Sequence, residues 1–280
     1  MTLAALVLFA AWPQARAETT LCREVTSVPT VISESGVHCF FQDLSSAVTM
    51  NSVIRIDANN VTLDCNGHKL GGLAAGAGTE AFGIYAENRK NITIRNCSIR
   101  GFHMGVFLTG PDSAYHLVED NSFDGNTDTA IHVIGDGSTI RRNQVRDTGG
   151  STASSNPGGI SFAGDGTDAI DNTVDGVAAR AGSNDDASGI RAFTGTGVTI
   201  GANRVRNLRP DGAGDSRGIS INGISGVISG NTVSAPVTGT GVAIGISCAD
   251  NSSAARGNAL LGYGDGFEVF ACTGLDNASD

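Results

Sequence analysis

The chain has 280 residues, a formal net charge of -10, 39 glycines and only 5% aromatic residues. That balance argues against nucleic-acid binding, because neither a basic patch nor an RNA-binding motif occurs. It also predicts repulsion of polyanions unless a local arginine cluster or a bound cation intervenes.

In chain order, the first feature is the apolar run Leu3 to Trp12, followed by Ala15-Arg16-Ala17. This fits the apolar core and small-residue cleavage site of a secretory signal, so residues 1–17 are expected to be removed and the protein to be periplasmic or secreted. The run is too short to span a bilayer, and no Lys or Arg precedes it. No later segment is long or apolar enough to cross a membrane, so no span is expected in the mature chain. Residues 18–50 lack the repeat described next. Pro29-Thr-Val-Ile-Ser, Gly36-Val and His38-Cys-Phe-Phe41 read as strands of an N-terminal cap that covers the open end of a stack.

Residues 51–275 carry that repeat. A Gly/Ala-apolar step recurs at Gly83-Ile84, Gly105-Val106, Ala130-Ile131, Gly159-Ile160, Gly189-Ile190, Gly218-Ile219, Gly245-Ile246 and Gly266-Phe267, 21 to 30 residues apart. In phase with it runs a column of asparagines at 121, 143, 172, 203, 231 and 258, each followed two residues later by an apolar residue. In the coil before this column starts, Cys97 takes the asparagine register. Self-similarity at this period marks a stacked-repeat architecture. No stretch holds helical periodicity over three turns, whereas short alternating runs such as Ile84-Tyr-Ala86 and Ile131-His-Val133 abound. The expected fold is therefore all-β: a right-handed parallel β-helix of about nine rungs at about 4.8 Å each, with apolar side chains stacked inside. The asparagines are expected at tight left-handed bends, where their stacked amides form a ladder. The tail, residues 276–280, is expected to be disordered.

Six cysteines in an exported chain imply disulfides, with fifteen possible pairings. Repeat register narrows them. Cys22 and Cys39 both precede the repeats, Cys65 and Cys97 fall near the same point of successive rungs, and Cys248 and Cys272 lie at the last rungs. These three pairs are expected, and no Cys-x-x-Cys spacing suggests a metal site instead.

Val61-Thr-Leu-Asp-Cys-Asn66-Gly-His-Lys-Leu70 and Ile92-Thr-Ile-Arg-Asn96, followed by the Gly-Ile and Asn repeats, resemble secreted bacterial right-handed parallel β-helix proteins. These share the pectate-lyase-like superfold and the repeat type of NosD-like and carbohydrate-processing members. The resemblance covers about residues 20–275 and implies the fold. Function has to be argued from a site, since one fold hosts many activities.

The residue after each step's apolar member forms an outward stripe: Tyr85, Phe107, His132, Ser161, Arg191, Ser220, Ser247 and Glu268. Three insertions, Asp147–Pro157, Ala178–Ser188 and Leu208–Arg217, precede successive strands and are expected to stack into a wall beside it. The wall carries Asp185, Asp186, Asp211, Asp215 and Arg217. A groove between stripe and wall suits an extended sugar chain, with Tyr85, Phe107, Asp215 and Arg217 binding it. His132, Arg191, Asp185 and Asp186 are the candidate catalytic groups. His132 and Arg191 have the chemistry of a lyase or epimerase, which needs a base and a cation. Asp185 or Asp186 with Asp128 or Asp215 would supply the two carboxylates of a hydrolase. Asn126-Thr-Asp128 and Asp185-Asp186 resemble motifs of polygalacturonase-type hydrolases, but lie two rungs apart and lack that family's Gly-His-Gly and Arg-Ile-Lys motifs. No cofactor is expected. Calcium would sit between rungs at Asp165, Asp168, Asp171 and Asp175, if anywhere.

Two functions remain from sequence. One is an exported protein that binds an extracellular polysaccharide, with cleavage or epimerisation as the chemistry open to it. The other is a non-catalytic envelope or surface module contacting protein or glycan. The oligomeric state is left open.

Overall fold

The structure is a computed structural model and describes residues 21–223, 225–248, 252–263, 269–274 and 277–279. The expected signal, residues 1–17, lies outside them, as do Gly266-Phe267 and Glu268.

Among the described residues the chain winds through three sheets, here A, B and C, each of ten parallel strands. One coil runs Phe82–Glu87 in sheet B, Ile92–Arg95 in sheet A and Ser98–Arg100 in sheet C; the next runs Met104–Thr109, Leu117–Glu119 and Ser122–Asp124. Each strand pairs with its counterpart one coil away, as Ile84 does with Val106 and Val106 with Ile131. The right hand is the one that crossovers between parallel strands adopt. Inside, Ile54, Ile84, Val106, Ile131, Ile160, Ile190, Ile219 and Ile246 form one fully buried stack. Each such side chain contributes about 1.5–3 kcal/mol relative to exposure.

The glycine of each step has a packing cause. A Cβ on Gly189 would lie 2.4 Å from the carbonyl oxygen of Gly218 and 2.4 Å from a Val205 methyl of sheet C. Gly105, Gly159 and Gly218 meet the same pair of obstacles: the next coil's carbonyl and a side chain facing from sheet C.

The asparagine ladder forms as expected. Asn143 Nδ2 donates to Asn172 Oδ1 at 3.0 Å, and Asn172 Nδ2 to Asn203 Oδ1 at 3.1 Å. The same oxygens accept the backbone N–H of the neighbouring ladder residue. Cys97 holds the register below, its N–H bonded to Asn121 Oδ1. The left-handed bend, however, falls one residue earlier than expected. It is occupied by Asn96, Asp120, Arg142, Asp171, Ala202, Gly230 and Gly257, each with positive φ. The ladder asparagines are selected for their buried amide bonds rather than for their backbone.

Both ends add strands to the stack. Within the expected cap, residues 18–50, Thr30–Ile32, Gly36–Cys39 and Leu44–Ser45 pair in parallel with the strands of the next coil. They form a further coil, whose repeat is hidden because no Gly-Ile step marks it. In the expected disordered tail, Ala278–Ser279 pairs with Ala259–Leu260, and Asn277 ends the ladder by accepting from Asn258. The last register also shifts. Val269 pairs with Ile246 and Phe270 with Ser247 in the backbone register, two residues later than the Gly266-Phe267 step predicts. The three disulfides are Cys22–Cys39, Cys65–Cys97 and Cys248–Cys272, as expected.

Candidate functional site

Sheet B carries the stripe in register: Arg55, Tyr85, Phe107, His132, Ser161, Arg191, Ser220 and Ser247 lie side by side on successive strands. Alternation turns them away from the core, although Ser161, Ser220 and Ser247 are buried, and at its aromatic end the face is wider than alternation predicts. Gly83 and Ile84 are both buried, so Phe82 emerges on the same side as Tyr85. Phe193, two residues beyond Arg191, emerges there as well.

These rings form a continuous array. Phe82 stacks on Tyr85 at 5.5 Å between centroids and meets Phe107 edge-on at 5.1 Å. Phe107 meets the His132 ring at 5.1 Å, and His132 stacks on Phe193 at 5.9 Å. The Arg191 guanidinium lies over Phe193 at 4.4 Å, and at the other end Arg55 lies over Tyr85 at 5.8 Å. His132 and Arg191, two strands apart, are thus joined through one ring.

The electrostatics follow from this packing. Burial first, and then the Arg191 guanidinium, push the His132 imidazole down to about 4, against an upward pull from Asp128. His132 is therefore neutral at physiological pH. Burial also lowers the Arg191 pKa, which Asp128 and Asp186 partly restore. Arg191 appears in no hydrogen bond or ion pair of the described residues, and its Nε is buried without a partner.

The wall beside the face exists and is longer than expected. Loops at 150–157, 179–186 and 210–215 stack through backbone-to-side-chain bonds: Asp186 N–H to Asn156 Oδ1, Asp215 N–H to Asp186 Oδ1 and Val242 N–H to Asp215 Oδ1. A further loop, 72–81, joins them through the bond from Thr152 N–H to the Ala77 carbonyl.

The wall acids do not serve as sequence reasoning assigned them. Arg217 bridges Asp186 at 2.8 Å and Asp215 at 3.0 Å, so both carboxylates are tied up in one ion-paired cluster. Asp185 lines a separate recess on the loops with Arg180, Ser183 and Ser154. It does not join His132. Asp128, 8% exposed, accepts from Ser154 Oγ at 2.6 Å and from Thr129 Oγ1 at 3.0 Å, and has His103 Nε2 at 4.0 Å. Arg217 thus takes Asp186 and Asp215 out of the hydrolase pairing and leaves Asp128 and Asp185 without an ion-pair partner of their own from Arg or Lys among the described residues. Asn126 is consumed by the backbone of Phe102 and Ile99. Asp165 accepts from Thr196, and Asp175 from Arg206 and Asn207. Among the described residues no group of three or more His, Cys, Asp or Glu side chains could hold a metal ion.

Of the residues the sequence singles out, Tyr85, Phe107, His132 and Arg191 lie together on this face; Phe82 and Phe193, which the sequence does not single out, join them there. The adjacent inward pair at Gly83-Ile84 was the signal for Phe82, because two consecutive inward residues put positions three apart on one face.

Three parallel sheets, a single stacked core and an internal asparagine ladder define a parallel β-helix. The chain belongs to the family described as right handed beta helix region, which matches residues 35–176 and 82–261. No curated protein and no solved structure shows significant similarity to it. Among the described residues no helix is long and apolar enough to cross a membrane.

Proposed function

We propose that this protein is exported and binds an extracellular polysaccharide along sheet B, parallel to the axis of the coil. One observation supports this most: the unbroken ring array from Tyr85 through Phe107 and His132 to Phe193, bounded by Arg55 and Arg191. Aromatic side chains give a rigid, partly apolar platform at low entropic cost, as sugar faces require. The wall of stacked loops borders the platform along one side, and binding residues commonly sit on such loops held by a rigid scaffold. Three disulfides fit the oxidising compartment that export would provide.

A second reading has its own support. A neutral His132 close to Arg191 has the composition of a lyase or epimerase centre, in which the imidazole takes the proton beside a carboxylate and the guanidinium holds the charge. A panel of neutral and acidic polysaccharides tests both readings. Binding is measured by affinity electrophoresis, and products by new reducing ends and by absorbance of unsaturated sugars. Binding without products in wild type leaves the platform alone. Products that vanish in His132→Ala and Arg191→Ala establish the enzyme. No binding to any member removes the polysaccharide reading.

A further inference from the structure

Asparagine followed by glycine occurs twice in the chain, at Asn66-Gly67 and at Asn222-Gly223. Glycine has no Cβ to hinder its amide nitrogen, so that nitrogen can reach the side-chain carbonyl carbon of the asparagine before it. Both pairs are exposed, so exposure does not separate them. Hydrogen bonding does.

Asn66-Gly67 is held on every side. The Gly67 N–H donates to the Asn96 carbonyl at 2.7 Å, and the His68 N–H to the Cys65 carbonyl at 2.7 Å. Asn66 Nδ2 donates to the Phe40 carbonyl at 2.9 Å, and the Asn66 N–H to Asp64 Oδ1 at 2.9 Å. The Cys65–Cys97 disulfide ties this turn to the next coil. A reaction within the turn has to proceed from a locally opened state, and every bond that must open lowers the population of that state.

Asn222-Gly223 is bound at one point, where the Asn222 N–H donates to the Ala192 carbonyl at 2.9 Å. The Asn222 side-chain amide and the Gly223 N–H make no hydrogen bond among the described residues. A Cβ on Gly223 would meet, among those residues, only the Phe193 carbonyl oxygen at 3.8 Å, so the approach is open. Gly223 also has φ 65°, a conformation that favours glycine, so the backbone itself retains the reactive residue there.

We infer that Asn222 is a modification site, which deamidates spontaneously in the folded protein while Asn66 is protected. The Gly223 nitrogen forms a bond to Asn222 Cγ, the Cγ–Nδ2 bond breaks, and ammonia leaves with the glycine amide proton. Water then opens the resulting five-membered imide. Addition at Cγ leaves aspartate. Addition at the main-chain carbonyl carbon leaves isoaspartate, whose main chain is longer by one carbon. One water enters and one ammonia leaves, so neither an enzyme nor a cofactor is needed.

The position gives the change a consequence. Ala192 pairs with Ile221, so Phe193 and Asn222 hold the next places on adjacent strands, about 4.8 Å apart at the spacing of a parallel sheet. Deamidation therefore adds a negative charge to sheet B beside Phe193 as the protein ages, and isoaspartate also lengthens the backbone just where the strand Ser216–Ile221 ends.

The test is peptide mapping by mass spectrometry of the full chain after incubation at pH 8 and at pH 5. Folded protein is compared with protein in guanidinium chloride with its disulfides reduced, and isoaspartate is scored separately by enzymatic methylation. In the folded protein at pH 8, the Asn222 peptide is expected to convert roughly tenfold faster than the Asn66 peptide, to both aspartate and isoaspartate. Conversion slows at pH 5, because attack needs the deprotonated nitrogen. In guanidinium chloride the two rates converge, since the bonds that shield Asn66 are gone. Asn222→Gln removes the acidic species that accumulates on anion exchange, and Asn222→Asp elutes with it. Equal rates at the two sites in the folded protein overturn the inference, as does conversion at neither site. A difference that persists in guanidinium chloride also overturns it, because flanking residues rather than the fold would then set the rates.

Discussion

Phe82 and Tyr85 stack with centroids 5.5 Å apart and planes 26° from parallel, although residues three apart on a regular strand point to opposite sides. Gly83 and Ile84 both turn inward between them, and this break in alternation adds Phe82 to the aromatic face. It depends on glycine: a Cβ at Gly83 would stand 2.5 Å from the Gly105 carbonyl oxygen and 2.8 Å from the Phe102 ring. We expect Gly83→Ala to destabilise the fold by about 1–3 kcal/mol, the range of core overpacking. Urea unfolding followed by far-ultraviolet circular dichroism measures it. An unchanged midpoint would show that the coil yields freely at this step.

The ladder gives a second prediction. Asn172 Oδ1 accepts the N–H and the amide of Asn143, while its own amide donates to the Ile140 carbonyl and to Asn203. Asn172→Ala orphans several buried groups at once, at about 1–3 kcal/mol each. A loss of at least about 2 kcal/mol is expected in urea unfolding. A loss under about 0.5 kcal/mol would mean that water or relaxation replaces the bonds.

How much of this was legible follows from these two cases. The repeat, the sheet register and the disulfides were visible because each coil repeats one local constraint: a glycine where the next carbonyl presses, an asparagine where an amide must be satisfied. The first coil lacks both marks, so the sequence alone does not show that its strands share the register of the stack. Ladder and bend were confused, because asparagine suits either role and only the backbone angles separate Asp120 from Asn121. At the site, Tyr85 and Phe107 followed from alternation, whereas Phe193 is connected to His132 only through packing across two strands. The wall acids have the chemistry of catalysis, but three-dimensional pairing with Arg217 assigns two of them to structure.

Acid should weaken the fold through two histidines. Burial holds His116 at about 4, with Nε2 against Ser113 Oγ at 2.9 Å, and His132 is likewise held at about 4. Both sit below the ordinary value of 6.5. The unfolded chain therefore binds these protons at higher pH than the folded one. The stabilisation is complete above pH 6.5 and is lost as pH falls toward 4, on the order of a few kcal/mol for the pair. Unfolding free energy measured at pH 7 and at pH 4.5 should fall, and fall less in His132→Gln. A curve flat across this window contradicts the burial of both rings.

The buried bridge should resist reduction. Cys65 and Cys97 are 0% and 2% exposed, and the bond closes a 32-residue separation. Replacing both by alanine is expected to cost about 2–4 kcal/mol. In the native protein, dithiothreitol with iodoacetamide should modify Cys22, which is less buried, before Cys65. Mass spectrometry of timed digests gives the order, and earlier labelling of Cys65 would contradict the packing described.

The central claim is that sheet B is the face that binds glycan. Its most direct measurement compares glycan affinity of a Tyr85→Ala/Phe107→Ala variant with that of Arg142→Ala, which alters the corner bearing the asparagine ladder. By isothermal titration with one retained polysaccharide, we expect at least a tenfold loss for the aromatic pair and none for the corner. Wild-type affinity in the aromatic pair together with a loss at the corner would place binding elsewhere and contradict the account.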